Sequence, residues 1–341
     1  MRAAVITQPR TLEVLEVPTP TPGPGQVRVR VSATGVCGTD LHLFDGHFHA
    51  RFPLIPGHEI AGVIDQVGPG VSDLQEGQLV ALDPVISCGQ CWACRRGQRQ
   101  HCLRFEALGV TQAGGFTQYV VAPATNAYPV QGLSAAEAAF AEPLGCVAWG
   151  IVRLRPEPGS NAVLFGAGPI GLLLMQALLV SGVTEVTVVD PVAERLALAR
   201  SLGASHTVQS GPSMAQALCD LKPHGFDIVA EATGIPGVVE AMSQYAAVGG
   251  KLLIFGVAPE EATVRVSPYD LFQRDLSLIG SFSLNGTLPL ALNWLESGRI
   301  QVKPLISHRM PLEDLHKALE YKEHPGMGNA LKVLIVPEGE G

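Results

Sequence analysis

Apolar and polar residues alternate with the two-residue period of strands in the first third of the chain. Val27, Val29 and Val31 face one way and Arg28 and Arg30 the other, after a proline-rich turn at 18–24. Further short apolar runs at 60–67, 79–82 and 116–121 predict an all-β region with long loops. Ser134 followed by Glu137 has the form of a capping box that opens a helix, and a second helical stretch covers 144–154. Pro156, Glu157, Pro158 and Gly159 then interrupt the pattern and mark a boundary.

Beyond that boundary short buried strands alternate with helices. Strands are predicted at 162–165, 186–189, 226–230, 251–255 and 276–279, with helices at 169–180 and 194–202 between the first of them. This is the grammar of an α/β, doubly wound parallel sheet. A tail from about Leu284 adds a helix at 289–296 and a strand at 331–336 that could return to the first domain. The expected domains are therefore 1–155 with 284–341, and 156–283. A chain of 341 residues exceeds one ordinary core, which agrees with two domains.

The charge of −8 argues against nucleic acid or an anionic membrane surface as the main partner, since either needs clustered Lys and Arg. The opening residues lack the apolar core of a signal peptide. The most apolar stretch, 170–180, is broken by Gln176 and too short to span a bilayer, so a cytoplasmic protein is expected. In a reducing compartment the seven cysteines do not suggest a disulfide framework, and four of them fall within the fifteen residues 88–102.

Gly166-Ala167-Gly168-Pro169-Ile170-Gly171 stands between the first strand and first helix of the second domain. Such glycines permit a tight turn and close approach of backbone to a pyrophosphate, and the helix N-terminus offers unpaired N–H groups to it. Asp190 ends the next strand, where a carboxylate accepts hydrogen bonds from ribose hydroxyls and repels a 2′-phosphate. NAD is thus expected in preference to NADP. A plain helix-capping role is the alternative for Asp190.

Cys88, Cys91, Cys94 and Cys102 have the spacing of a closed tetrahedral zinc shell, which is structural because no position remains for substrate. A second, scattered set is Cys37 in Cys37-Gly38-Thr39-Asp40-Leu41-His42 and the pair His58-Glu59 in Gly57-His58-Glu59-Ile60-Ala61-Gly62. A catalytic zinc keeps about three protein ligands and one open position. Cys37, His58 and a carboxylate would serve. Taken singly, Cys37 also reads as a small buried residue and His58 as a hydrogen-bonded core histidine.

These motifs, in this order and spacing over essentially the whole chain, resemble the zinc-containing medium-chain dehydrogenases. Glu142-Pro143-Leu144 resembles the sorbitol and arabinitol branch in particular. The resemblance implies a GroES-like catalytic domain, a Rossmann NAD domain, an active site in the cleft between them, and two zinc ions per chain. It places Cys37, His58 and Glu59 at the catalytic zinc. Glu142 falls at a carboxylate that binds the zinc, its water or the substrate, and whether Glu59 or Glu142 is inner-shell stays open. It makes Asp40 the acid that orients His58, and Thr39 and His42 a proton relay. Coenzyme contacts are implied for Ile170, Asp190 and Arg195, and on the nicotinamide side for Phe255, Gly256, Val257, Ser281 and Phe282.

Trp149 departs from the branch, where many relatives carry histidine; in the cleft it would narrow and dry the site. The implied reaction is hydride transfer between NAD and a secondary alcohol, foremost a polyol (a pentitol or hexitol) oxidised to a ketose. Threonine or a butanediol-type alcohol is the alternative substrate, and a non-catalytic nucleotide-binding relative the distant one. A homotetramer or homodimer is expected from the resemblance and from a predicted edge strand at 275–281.

Overall fold

Val27, Val29 and Val31 bury one face of strand Gln26–Gly35, and this strand organises the first of two compact units. The computed structural model describes residues 1–48, 51–324 and 326–337. The first unit comprises Met1–Gly145, Leu284–Gly298 and the described chain from Val302 onward; the second comprises Cys146–Ser283 with Arg299–Gln301. The division falls at Gly145, inside helix Ala141–Leu154, whereas the sequence pattern breaks at Pro156.

The seven-stranded sheet of the first unit runs Ile306–Met310, Lys332–Ile335, Gln26–Gly35, Glu59–Val67, Leu79–Leu82, Ala127–Pro129, and Tyr119–Pro123 also pairs with Gln26–Gly35. Apolar clusters of described residues fill it. One contains Val27, Val29, Ile60, Ile64, Val80 and Leu82; another contains Ile6, Leu43, Phe116, Leu315, Val333 and Ile335. The tail strand is held by antiparallel pairing, with Leu334 opposite Gly35, so residues 299 positions apart in sequence meet.

The second unit is an all-parallel six-stranded sheet ordered His206–Gln209, Glu185–Asp190, Asn161–Phe165, Phe226–Glu231, Ala246–Ile254, Ser277–Gly280. Numbered within the unit this is 3-2-1-4-5-6, the doubly wound order whose reversal lies between the first and fourth strands. Helix Pro169–Val180 follows the first strand, starts with proline at its first position and buries Gly171 to Leu178.

Several elements escaped the pattern. Strand His206–Gln209 buries only Val208, and Ile306–Met310 buries only Met310, so neither carries a legible alternation. The hairpin Arg2–Gln8 with Thr11–Glu16 and helices Met214–Leu221 and Leu315–Glu323 are likewise additional. The run predicted at 116–121 starts as a strand only at Tyr119, because Phe116 turns inward as a fully buried core residue. The helix predicted from 144 begins at Ala141, which brings Glu142 into its first turn. Among the described residues one stretch, Ala135–Leu154, is long and apolar enough to cross a membrane, and it is mostly buried within the protein, as a core helix is.

Candidate functional site

Cys37 is the N-cap of the seven-residue helix Gly38–Phe44, and its backbone N–H donates to Asp40 Oδ2 at 2.8 Å. Asp40, 1% exposed, also accepts from the N–H of Gly57 through Oδ1 at 3.2 Å. One carboxylate therefore ties the start of this helix to the turn that precedes His58. Gly57 is required at that turn: its φ is +93°, and a Cβ there would lie 2.9 Å from the ring of Phe116.

The result is convergence. Ligand atoms of Cys37, His58 and Glu59 all lie within 4.8 Å of one another, with His58 and Glu59 buried. His58 Nδ1 stands 3.5 Å from Asp40 Oδ1, ion-pair range but outside good hydrogen-bond geometry. Burial disfavours the charged imidazole, yet the Asp40 carboxylate and Cys37 together outweigh it and raise the His58 pKa well above the usual range. That field favours a cation, and a thiol, an imidazole and a carboxylate form a donor set suited to zinc with a position left over.

Lys332 is the participant that the motifs do not announce. Only 3% exposed, its ammonium contacts Glu59 Oε2 and donates to the carbonyl of Val36 at 3.3 Å. Burial favours the neutral amine, but Glu59, with Cys37 and Glu142 behind it, overrides burial and raises the Lys332 pKa. Strand register creates this meeting: Gly35 pairs with Glu59 on one side and Leu334 on the other. A Cβ on Gly35 would stand 1.8 Å from Glu59 Oε2 and 2.8 Å from Lys332 Cε, so glycine makes the room. The one sequence signal was a lysine inside an otherwise apolar strand, Lys332–Ile335, all of it buried.

Glu142 is buried too, and close enough to act on Lys332. Thr39 Oγ1 lies 3.8 Å from Cys37 Sγ. His42, half-buried and one helical turn beyond Thr39, stacks edge-on against Phe48 at 5.0 Å between centroids. The helix thus sets a hydroxyl beside the thiol and an imidazole on the same face.

The four remaining ligand candidates form a separate lobe. Sulfur to sulfur distances are 3.5 Å for Cys91–Cys94, 3.9 Å for Cys91–Cys102 and 4.0 Å for Cys88–Cys94. Four sulfurs held tetrahedrally at about 2.3 Å from zinc would lie about 3.8 Å apart, so the lobe has the dimensions of a zinc shell. All four are free thiols. Backbone N–H groups of Gln90 and Cys91 lower the Cys88 pKa to about 6, while burial and the neighbours Cys91 and Cys102 push Cys94 up to about 11. A cation removes that conflict. Arg99 fastens the lobe to the sheet through Asp83 at 3.2 Å and the carbonyl of Val85 at 3.0 Å.

In the second unit Gly166 has φ +102°, and a Cβ on Gly171 would fall 1.9 Å from the Gly166 carbonyl oxygen, which enforces the tight turn. Gly168, the N-cap of helix Pro169–Val180, faces open space where its Cβ would be, a cradle for a phosphate at a helix N-terminus, with Ile170 in the first turn. Asp190, 4% exposed, accepts from the N–H of Ala167 at 2.7 Å and of Val192 at 2.9 Å, so it braces the fingerprint loop as well as lying beside it. Arg195 is half-buried in the helix Ala193–Ser201.

Phe255, Gly256 and Val257 follow directly on strand Ala246–Ile254, and Ser281 and Phe282 on strand Ser277–Gly280. All five therefore sit at the carboxyl ends of parallel strands, where doubly wound sheets bind ligands. Val257 and Phe282 are 69% and 57% exposed, while Ser281 Oγ is buried without a hydrogen-bond partner. The Phe255 ring packs on Gly150, where a Cβ would come within 2.8 Å of it. Trp149 beside it is partly buried.

A β-rich unit holding two metal-ligand clusters and a doubly wound unit holding a dinucleotide fingerprint define a metal-dependent, nucleotide-linked oxidoreductase architecture. The alcohol dehydrogenase GroES-like domain family matches residues 23–132, and the zinc-binding dehydrogenase family matches 169–297. D-arabinitol dehydrogenase 1 of Uromyces fabae is 36% identical over 325 residues, covering 94% of this chain and 93% of that one. D-altritol 5-dehydrogenase of Agrobacterium fabrum is 39% identical over 320 residues, covering 92% and 94%. A zinc-binding dehydrogenase from Sinorhizobium meliloti, solved with NADP, superposes with a TM-score of 0.94 at 32% identity, covering 98% and 99%. The chain belongs to the zinc-binding alcohol dehydrogenase family, with the GroES-like and Rossmann-type domains of that family.

Proposed function

We propose that this chain oxidises a polyol, a pentitol or hexitol, to the ketose with NAD, using zinc held by Cys37, His58 and Glu59. The convergence of those three side chains within 4.8 Å, with Glu142 also buried, is the observation that carries it. A zinc ion held by these three residues would supply the Lewis acidity that makes a hydroxyl a stronger acid, and a bound nicotinamide would accept the hydride. Asp40 orients His58. Thr39 accepts the proton beside Cys37 and passes it towards His42. Lys332 holds Glu59 in place and balances the negative charge of Cys37, Glu59 and Glu142.

A hydroxyl next to the reacting one needs an acceptor, and Glu142 provides a charged one. Such a bond is worth about 1.5–3 kcal/mol, or roughly ten- to more than a hundredfold in kcat/KM. The arabinitol and altritol dehydrogenases among its relatives agree with this choice. NADH formation across pentitols, hexitols, diols, simple alcohols and threonine should favour a pentitol or hexitol over ethanol and 2-propanol by about that factor, and Glu142→Gln should narrow the gap. Threonine as the best substrate, or simple alcohols equal to polyols, would count against it.

NAD is the proposed coenzyme, although the Sinorhizobium neighbour carries NADP. Asp190 is followed by Pro191 and Val192, so no arginine comes immediately after it in the chain to take a 2′-phosphate. NAD should exceed NADP about tenfold or more in kcat/KM, which is ~1.4 kcal/mol. Asp190→Ala should erode this ratio and, by releasing Ala167, raise KM for both coenzymes. Equal use of both coenzymes by the unaltered protein removes the argument.

The free thiols fit a reducing compartment, and we place the protein in the cytoplasm. Among the described residues, strand Ser277–Gly280 is paired on one side only, with Leu278 43% exposed, and Phe272 at 80% lies just before it in sequence. Such an edge is an aggregation hazard unless a second copy covers it, so a homodimer or homotetramer follows. Light scattering at micromolar concentration should show it, and Leu278→Lys should shift it towards monomer; a monomeric unaltered protein contradicts this.

A further inference from the structure

Glu231 ends strand Phe226–Glu231 and is fully buried, yet among the described residues no Lys or Arg pairs with it. Five donors satisfy it instead. Oε2 accepts from the N–H of Thr233 at 2.9 Å, the Thr233 hydroxyl at 3.0 Å and the N–H of Gly234 at 3.0 Å. Oε1 accepts from the N–H groups of Phe255 at 3.2 Å and Gly256 at 2.9 Å, which they share with the Glu231 backbone carbonyl at 3.1 and 3.2 Å. A desolvated carboxylate neutralised only by N–H and O–H dipoles holds those groups strongly, since charge-assisted bonds strengthen away from water.

The two segments it joins, 232–234 and 255–257, leave the carboxyl ends of adjacent parallel strands. They are pressed together. A Cβ on Gly256 would lie 2.1 Å from the amide nitrogen of Gly234, and one on Gly234 would lie 2.3 Å from the carbonyl oxygen of Val257. Strand order puts Asn161–Phe165 and Phe226–Glu231 side by side at the reversal, with Asp190 one strand to one side and Glu231 on the other. A dinucleotide across such a reversal places its adenosine by the acid of the second strand and its other half over the fourth and fifth.

We propose that Glu231 is a positioning residue for the nicotinamide half of the coenzyme: its carboxylate fixes the backbone of 233–234 and 255–256 as the platform under that half. The inference rests on the coenzyme reading above. Glu231→Gln keeps the shape but turns one acceptor into a donor facing donors.

The test measures affinities of full-length, zinc-loaded wild type and Glu231→Gln for NADH and for AMP by calorimetry, with zinc content alongside. NADH affinity should fall at least about tenfold, ~1.4 kcal/mol, while AMP affinity stays within about twofold and zinc is unchanged. NADH and AMP weakening together, or neither weakening, overturns the proposal. Wild type that binds AMP but not NADH overturns the coenzyme reading itself. Should Glu231→Gln not fold, hydrogen exchange on wild type decides: the amides of Thr233 and Gly234, which donate to the side chain and not to the Glu231 backbone, should be protected without coenzyme and gain protection with NADH but not with AMP. Free exchange at those amides, or equal gains with both ligands, refutes it.

Discussion

Cys37→Ser should abolish turnover while leaving the fold, the four-cysteine lobe and NADH binding intact. Serine is a good N-cap, and the Cys37 backbone N–H bond to Asp40 does not depend on the side chain, so helix Gly38–Phe44 should survive. A serine hydroxyl is too weak an acid to replace a thiolate ligand. Lewis-acid stabilisation is worth several kcal/mol, so kcat/KM should fall by on the order of 10³ or more. Elemental analysis of the unaltered protein, purified without chelator, should show about two zinc ions per chain, one for each ligand cluster. In the variant one should remain. Near-normal turnover, or retention of both ions, would exclude the assigned role.

The opposite outcome is expected for Cys91→Ser. This lobe has little core of its own: Trp92 and Leu103 are 65% and 79% exposed, and among the lobe's residues Ala93, Gln100 and Cys102 are the buried ones. Its order therefore depends on the metal and on Arg99. Structural zinc in small modules contributes apparent binding free energies of about 10–16 kcal/mol, so loss of even a few kcal/mol should lower Tm by roughly 5–15 °C in a protein of this size. One zinc should be lost. Catalysis measured well below the new Tm should be far less affected than in Cys37→Ser. An unchanged Tm with full zinc content would show that the lobe does not need a closed shell.

What was legible in the sequence was what neighbours in the chain encode. The fingerprint at 166–171 needs only a strand, a turn and a helix in succession, and helix Pro169–Val180 forms over the predicted span. The cysteines at 88, 91, 94 and 102 are close in sequence, so their spacing already limits them to one cluster. The capping box of Ser134 and Glu137 is likewise complete within one turn, and both of its hydrogen bonds are present. Strands such as His206–Gln209 left no mark because a single buried residue makes no period.

By itself, then, the sequence determined the two ligand sets, the fingerprint and the alternation of strands with helices, because each depends on periodicity or on spacing of a few residues. Tertiary structure decided which charges share a site. Lys332 reaches Glu59 only because strand register sets both beside Gly35, and the register of the tail strand arises from hydrogen bonds between segments hundreds of residues apart. Glu231 reads in sequence as the polar end of an apolar strand. Its five donors come partly from the loop after the next parallel strand, and a parallel neighbour is reached only through a crossover. Asp40 and Asp190 follow the same rule on a smaller scale: their types mark them as polar, but only the folded chain brings the N–H groups of Gly57 and Ala167 to their carboxylates.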